Sequence, residues 1–399
     1  MVFLRPPFLL FWCARICSSL GYQMQAVAIG WRVYALTGSA LDLGLVGLAQ
    51  FLLVLLLTLA AGHAADRYDR RRIAAICQGA EAFGGAVLAL GTGQGWLGVH
   101  GIFAVVVLIG AARAFEAPTM SALMPSLVPA EMLSRASAWS ASANQTASIV
   151  GPAVGGLVFA LGAPVPFVLA ATLFVAASGL ISLVKPAGAT TAARAPAKLR
   201  SVFSGIAYIR QNPEILGAIS LDLVAVLLGG ATALLPIYAG GILHTGPWGL
   251  GVLRAAPALG ALSMSIFLAW HPIRQAAGQK MFAAVGVFGL ATILFGISRS
   301  LPLSIAALVL LGAADVVSVV IRFALVQIRT PDSMRGRVSA VNMLFIGTSN
   351  QLGEFESGVT AALLGAVPAT ILGGVATLGV ALLWMRVFPA LRDVDSLDR

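Results

Sequence analysis

Apolar runs long enough to cross a bilayer follow one another along almost the whole chain, separated by short polar or charged turns. A membrane-crossing helix needs roughly 20 apolar residues, and within lipid an open chain satisfies its backbone groups only by being helical. Twelve spans are predicted, near residues 8–34, 41–62, 73–93, 98–118, 138–160, 164–184, 214–240, 247–270, 278–297, 302–323, 338–362 and 366–388. Residues 185–213 carry Lys185, Arg194, Lys198, Arg200 and Arg210 among Ala, Thr, Gly and Pro, the composition of a polar linker. The chain therefore reads as an all-α membrane protein of twelve transmembrane helices. Its expected parts are a six-helix bundle over 1–184, a cytoplasmic linker over 185–213, and a second bundle with a short tail over 214–399.

Composition agrees, with 59% hydrophobic and only 10% charged residues, which excludes a soluble domain with a polar shell. The net charge of +10 does not mark nucleic-acid binding, because the basic residues fall in short loops and not on one polar face. Arg32 and Arg299 lie toward one side and Arg15, Arg113, Arg254 and Arg322 lie inside spans, while the rest of the 25 Lys and Arg residues gather on the other side. The positive-inside rule then puts both termini in the cytoplasm of a bacterial-type inner membrane. Arg5 precedes an apolar run that continues to Tyr34 without a cleavage site, so the run is a span and not a signal peptide. Cys13, Cys17 and Cys77 form no metal or disulfide framework.

An internal repeat divides the spans. PAEMLSRASA (Pro129 to Ala138) aligns with PDSMRGRVSA (Pro331 to Ala340) at a constant offset of 202, and the same offset carries Gly151 and Gly156 onto Gly353 and Gly358. A parallel six-helix repeat places a substrate site between the halves, near the membrane midplane.

The loop after the second span reads GHAADRYDRRR, from Gly62 to Arg72. Gly62 is expected to allow close helix approach, Asp66 to accept hydrogen bonds at a helix end, and the arginines to meet carboxylates or lipid phosphates. Here the chain resembles the major facilitator superfamily, whose G-x-x-x-D-R-x-x-R-R pattern is matched by Gly62, Asp66, Arg67, Arg70 and Arg71. The resemblance implies a cytoplasmic latch in which the acid meets the start of the eleventh span, with Thr330 as its cap and Pro331 as its first residue. Asp69 departs from the family's usual glycine, and the matching loop WHPIRQAAGQK lacks the acid.

GPAVGG, with Gly151, Pro152, Gly155 and Gly156, is similar to the G-P-x-x-G-G signature of the family's proton-coupled drug exporters. Physically it provides a small-residue face and a kink site. LTGSALDLGLVG (Leu36 to Gly47) and QIRTPDSMRGRVSAVNMLFIG (Gln327 to Gly347) resemble the branch of enterobactin exporters and drug-efflux proteins. The resemblance covers essentially the whole chain and is silent about substrate.

Charges inside spans are costly and usually face a cavity or a partner. Arg15, Arg113 with Glu116, Asp222, and Asp315 with Arg322 fall on spans 1, 4, 7 and 10, which line the central cavity in the superfamily. Arg113 and Glu116 share a helix face, and Asp315 and Arg322 stand nearly two turns apart. Each pair could be self-contained. Alternatively, the repeat offset superposes Arg113 on Asp315, and a bridge could cross the pseudo-symmetry axis.

Asp222 has no partner on its own helix and leads the proton-coupling candidates, which are Glu116, Asp222, Asp315, Glu354 and Glu356. Either fixed ion pairing or proton exchange fits each of them. Glu354 and Glu356 project about 200° apart on one helix, so one could pair with Arg254 while the other either faces a cavity and favours cationic substrates or is a peripheral acid. Tyr22, Gln23 and Gln25 sit deep in the first span as substrate or interhelical hydrogen-bonding groups.

GQGWLG (Gly93 to Gly98) has no strand before it, the four histidines lack metal spacing, and no phosphate-binding loop occurs. No cofactor is expected. The reading is a monomeric secondary transporter that exports an amphipathic drug or siderophore in exchange for protons, with membrane lipids around it. A lysophospholipid facilitator or an importer is the alternative, and a membrane enzyme or receptor ranks below both.

Overall fold

A computed structural model describes residues 6–185 and 199–395, and among them every regular element is helical. In order they are α1 (Pro6–Thr37), α2 (Ala40–Arg67), α3 (Arg70–Gln94), α4 (Val99–Leu123), α5 (Leu133–Phe159), α6 (Val165–Leu183), α7 (Leu199–Gln211) and α8 (Pro213–Leu228). The three-residue α9 (Leu235–Ile237) follows, then α10 (Gly246–Trp270), α11 (Ala277–Ile297), α12 (Leu301–Arg329), α13 (Asp332–Leu364), α14 (Ala366–Val387) and α15 (Pro389–Arg392). Among the described residues, nine helical segments are long and apolar enough to span a membrane. The remaining long helices, α1, α5 and α13, run 32, 27 and 33 residues and carry more polar side chains, which is consistent with twelve spans. Leu56, Ile76, Leu161, Leu363 and Leu382 are each at least 65% exposed, as outer faces in contact with lipid require.

The described helices form two compact units, Met1–Gly38 with Leu48–Pro196 and Thr245–Ala255, and Ser39–Gly47 with Ala197–His244 and Ala256–Arg399. In the first, α3 packs on α4 and α6, and α1 on α5 and α6, around Phe8, Phe11, Met120, Leu123 and Ile181. In the second, α11 packs on α12 and α14, and α8 on α13 and α14, around Leu221, Met281, Phe282, Val285 and Leu325.

Glycines matched by the sequence repeat make matched contacts. In the first unit a methyl on Gly151 would lie 2.6 Å from Cβ of Gln23 on α1, and one on Gly156 2.6 Å from the Pro247 carbonyl and 2.8 Å from Cα of Gly251 on α10. In the second unit a methyl on Gly353 would lie 3.0 Å from the Val226 and Leu227 carbonyls of α8, and one on Gly358 2.7 Å from Cα of Gly44 on α2. Backbone-to-backbone packing of this kind lets van der Waals contact hold membrane helices together. It also explains why the first turns of α2 and α10 belong to the units they do.

Three local expectations are corrected. The seventh span breaks at Gly229 and Gly230, after which residues 231–234 form a 3-10 turn and Tyr238–Ile242 a π-helical turn, so 214–240 is not one helix. Part of the polar linker is the amphipathic α7, whose Ile209 is buried with Ile215, Val338 and Val341 and whose Tyr208 hydroxyl donates to the Arg329 carbonyl at 2.9 Å. Residues 186–198, with Arg194 and Lys198, lie outside the described residues. Finally, Pro331 is the residue before α13 and not its first, and Thr330 is the extended residue that follows the end of α12 at Arg329.

Candidate functional site

Helix ends organise the loop between α2 and α3. The carbonyls of a helix's last turn lack amide partners, and cations there offset the dipole. Arg70 donates to the Ala65 carbonyl at the end of α2 and the Ala122 carbonyl at the end of α4, each at 3.0 Å, and Arg71 to Val184 just beyond α6 at 2.9 Å. Three helix C-termini of one unit are thus tied together. Asp69, the departure from the family pattern, is the N-cap of α3 and accepts the Arg71 backbone N–H at 2.9 Å. Its hydrogen bond from the Arg71 side chain holds the carboxyl below its ordinary range.

Gly62 does not mediate close approach, since a methyl there would meet nothing within 4 Å. Arg67 is exposed at the end of α2, and the Asp66 side chain lies outside the described residues. Arg70→Ala is expected to cost about 1–2 kcal/mol by stripping two carbonyls of a charged donor. The check is thermal melting of the purified protein, and a wild-type melting temperature would refute the capping role.

Inside the first unit, α1, α2, α3 and α4 converge on a polar cluster. Glu116 on α4, 3% exposed, accepts from Ser18 at 2.6 Å, Gln78 at 2.9 Å and Arg113 at 2.7 Å. Three donors therefore converge on it. The Arg113 guanidinium also lies 4.1 Å from the Tyr22 ring centroid, a cation–π arrangement, while the Tyr22 hydroxyl donates to Gln50 at 3.1 Å. Arg15 on α1 lies within electrostatic reach of Glu116 and Arg113, and its buried Nε has no hydrogen bond.

Glu81, on α3, was not anticipated. It is wholly buried, with its nearer oxygen 4.0 Å from Arg113 Nε. A single acid in the middle of an otherwise apolar run was the available signal. Gln25 is buried with neither amide atom bonded, and Gln23 packs on Gly151.

The second unit repeats the theme. Arg322 on α12 pairs with Asp222 on α8, both nearly fully buried. Asp222 is therefore partnered across helices, and the expected Asp315–Arg322 pair gives way to this one. Asp315 and Asp222 line a cavity with Ser318 and Phe288 that has room for about one water molecule. Glu356 accepts from Thr360 at 2.8 Å, Glu354 lies against Gly47, and Arg254 is half-buried in α10.

The family model of transmembrane secretion effectors matches residues 3–399. The enterobactin exporter EntS of Escherichia coli O1:K1 / APEC is 24% identical over 399 residues, covering 97% of this chain and 93% of that protein. The multidrug efflux pump Tap of Mycobacterium bovis (strain BCG / Pasteur 1173P2) is 28% identical over 409 residues, covering 98% and 95%. Among solved structures, the nucleoside transporter NupG superposes with a TM-score of 0.72 at 13% identity, covering 96% of this chain and 99% of that one. A bacterial homologue of the human lysosomal transporter Spinster gives 0.75 at 12% identity, covering 97% and 98%. At such identities these structures speak for the fold, which is that of major facilitator transporters. Matched over nearly its whole length and sharing that fold, the chain belongs to the transmembrane secretion effector family of the major facilitator superfamily, and is a multi-pass membrane transporter and not an enzyme.

Proposed function

We propose that this transporter exports an amphipathic small molecule, of drug or siderophore type, in exchange for protons by alternating access. The observation that carries the reading is Asp315. It is a partly buried acid sharing a one-water cavity with Asp222, while the Arg322 guanidinium bonds Asp222. Two carboxylates beside one arginine leave one of them to be neutralised by a proton. Relatives named as an enterobactin exporter and a multidrug efflux pump favour export. Both termini in the cytoplasm, with two six-helix bundles joined through 185–213, fit the Lys and Arg bias.

The test is substrate-triggered proton movement in liposomes holding wild type or Asp315→Asn, across cationic drugs and siderophores. Proton counterflow in wild type and at least a tenfold loss of coupling in the variant are expected. Substrate movement without proton flux in wild type would overturn the coupling and favour a lipid or small-molecule facilitator.

A further inference from the structure

The first unit holds an acid that no sequence pattern singled out and that its surroundings leave without a hydrogen bond. Glu81 is 0% exposed and neither carboxyl oxygen has a hydrogen-bond partner. Its nearest cation is Arg113, 4.0 Å away at Nε, and that guanidinium already donates to Glu116 at 2.7 Å. Glu116 also has Ser18 and Gln78 as donors, so Arg113 and its other partners are oriented toward Glu116 and not toward Glu81.

The remaining charged and titratable neighbours do not change the balance. α4 presents Arg113 and Glu116; α1 presents Arg15, which lies toward Glu116 and Arg113, and Tyr22 beneath the guanidinium. α3 itself adds Cys77, one turn away, and α6, which packs along α3, has no titratable side chain in its sequence. An ionised carboxylate without a hydrogen-bond donor in such a place is strongly disfavoured, whereas the neutral acid is tolerated.

We infer that Glu81 binds a proton and exchanges it against Arg113, making it a proton-carrying acid of the first unit. In the state described here the proton resides on a Glu81 oxygen and Arg113 serves Glu116. On release, the Glu81 O–H bond breaks, the proton passes to water, and Arg113 closes the 4.0 Å gap to compensate the new carboxylate. Arg113 is the element through which the exchange is felt elsewhere, because its side chain is 28% exposed and rests on Tyr22. The arrangement parallels the second unit, where Arg322 serves Asp222 and leaves Asp315. The exchange rests on the proton-coupled reading above; the location of the proton does not.

Infrared spectroscopy of the full chain in lipid nanodiscs tests the location without any transport step. Wild type is expected to show a protonated-carboxyl C=O band that shifts in D2O. Glu81→Gln should abolish the Glu81 band while that of the acid shared by Asp222 and Asp315 remains, and Glu81→Asp, which restores an acid one methylene shorter, should return a shifted band. A band unchanged in Glu81→Gln, in protein of wild-type helical content, overturns the inference.

Proton flux in liposomes tests the exchange, with at least a tenfold loss of coupling expected in Glu81→Gln while substrate counterflow persists. Loss of the band with unaltered coupling would make Glu81 a fixed neutral acid and overturn the exchange. Wild-type transport without proton movement would instead overturn the coupled reading, and loss of the band would still locate a proton at Glu81.

Discussion

Replacing Arg322 with methionine is expected to destabilise the protein by about 3–5 kcal/mol, because removing one partner of a buried ion pair leaves the other charge uncompensated. The side chain is 2% exposed and its partner Asp222 6%, so water reaches neither. Asp315, which lines the same cavity as Asp222, is the acid neutralised by a proton in the proposed function, so Asp222 is the charge left without a cation. Adding Asp222→Asn to Arg322→Met should recover most of the loss, as replacement of both partners is far milder than removal of one. Denaturation of the purified variants in detergent checks this. If the single and double variants melt together, the pair does not hold the second unit.

The second large effect is steric. Gly156→Val is expected to cost at least about 1–3 kcal/mol, the usual penalty for forcing extra atoms into a packed contact. The neighbours are backbone atoms, Pro247 O and Gly251 Cα at 2.6 and 2.8 Å from the added carbon, and backbone cannot rotate away as a side chain would. Its repeat mate Gly358→Val should cost a similar amount in the second unit, where Gly44 Cα and the Ala40 carbonyl stand at 2.7 and 2.9 Å. Gly62→Ala is the control. It meets nothing within 4 Å and sits within α2, so it should stabilise by about 0.5–1 kcal/mol through helix propensity. Equal melting of the Gly156 and Gly62 variants would refute the packing role.

The spans were legible because hydropathy and helix length are set by the same bilayer thickness, and the repeat because Pro129 and Pro331 open closely similar sequences. Gly151 and Gly156 announced their roles for the same reason, since the offset of 202 joins them to residues with equivalent contacts. What the sequence could not reveal is how arginines choose among acids. Asp222 and Arg322 are 100 residues apart, and a partner on another helix leaves no spacing to read, whereas Asp315 on the same helix as Arg322 offered a misleading one. Glu81 was missed for the converse reason, having no charged neighbour at i±3 or i±4 to draw attention to it. α7 was legible in principle, as Val202, Ile206 and Ile209 recur at helical spacing, but the basic residues around it obscured that pattern.

The interruption of the seventh span has one more consequence. Where α8 stops at Leu228, the described backbone hydrogen bonds include none to the carbonyls of Val226, Leu227 or Leu228. The groups facing those oxygens are Gly353, near the first two, and Gly373, near the third. Lacking side chains, these glycines bring Cα–H groups against bare carbonyls, which gives weak compensation where an amide would give strong. Three weakly compensated dipoles about one turn past Asp222 leave the end of α8 held by helix packing and not by its own backbone ladder.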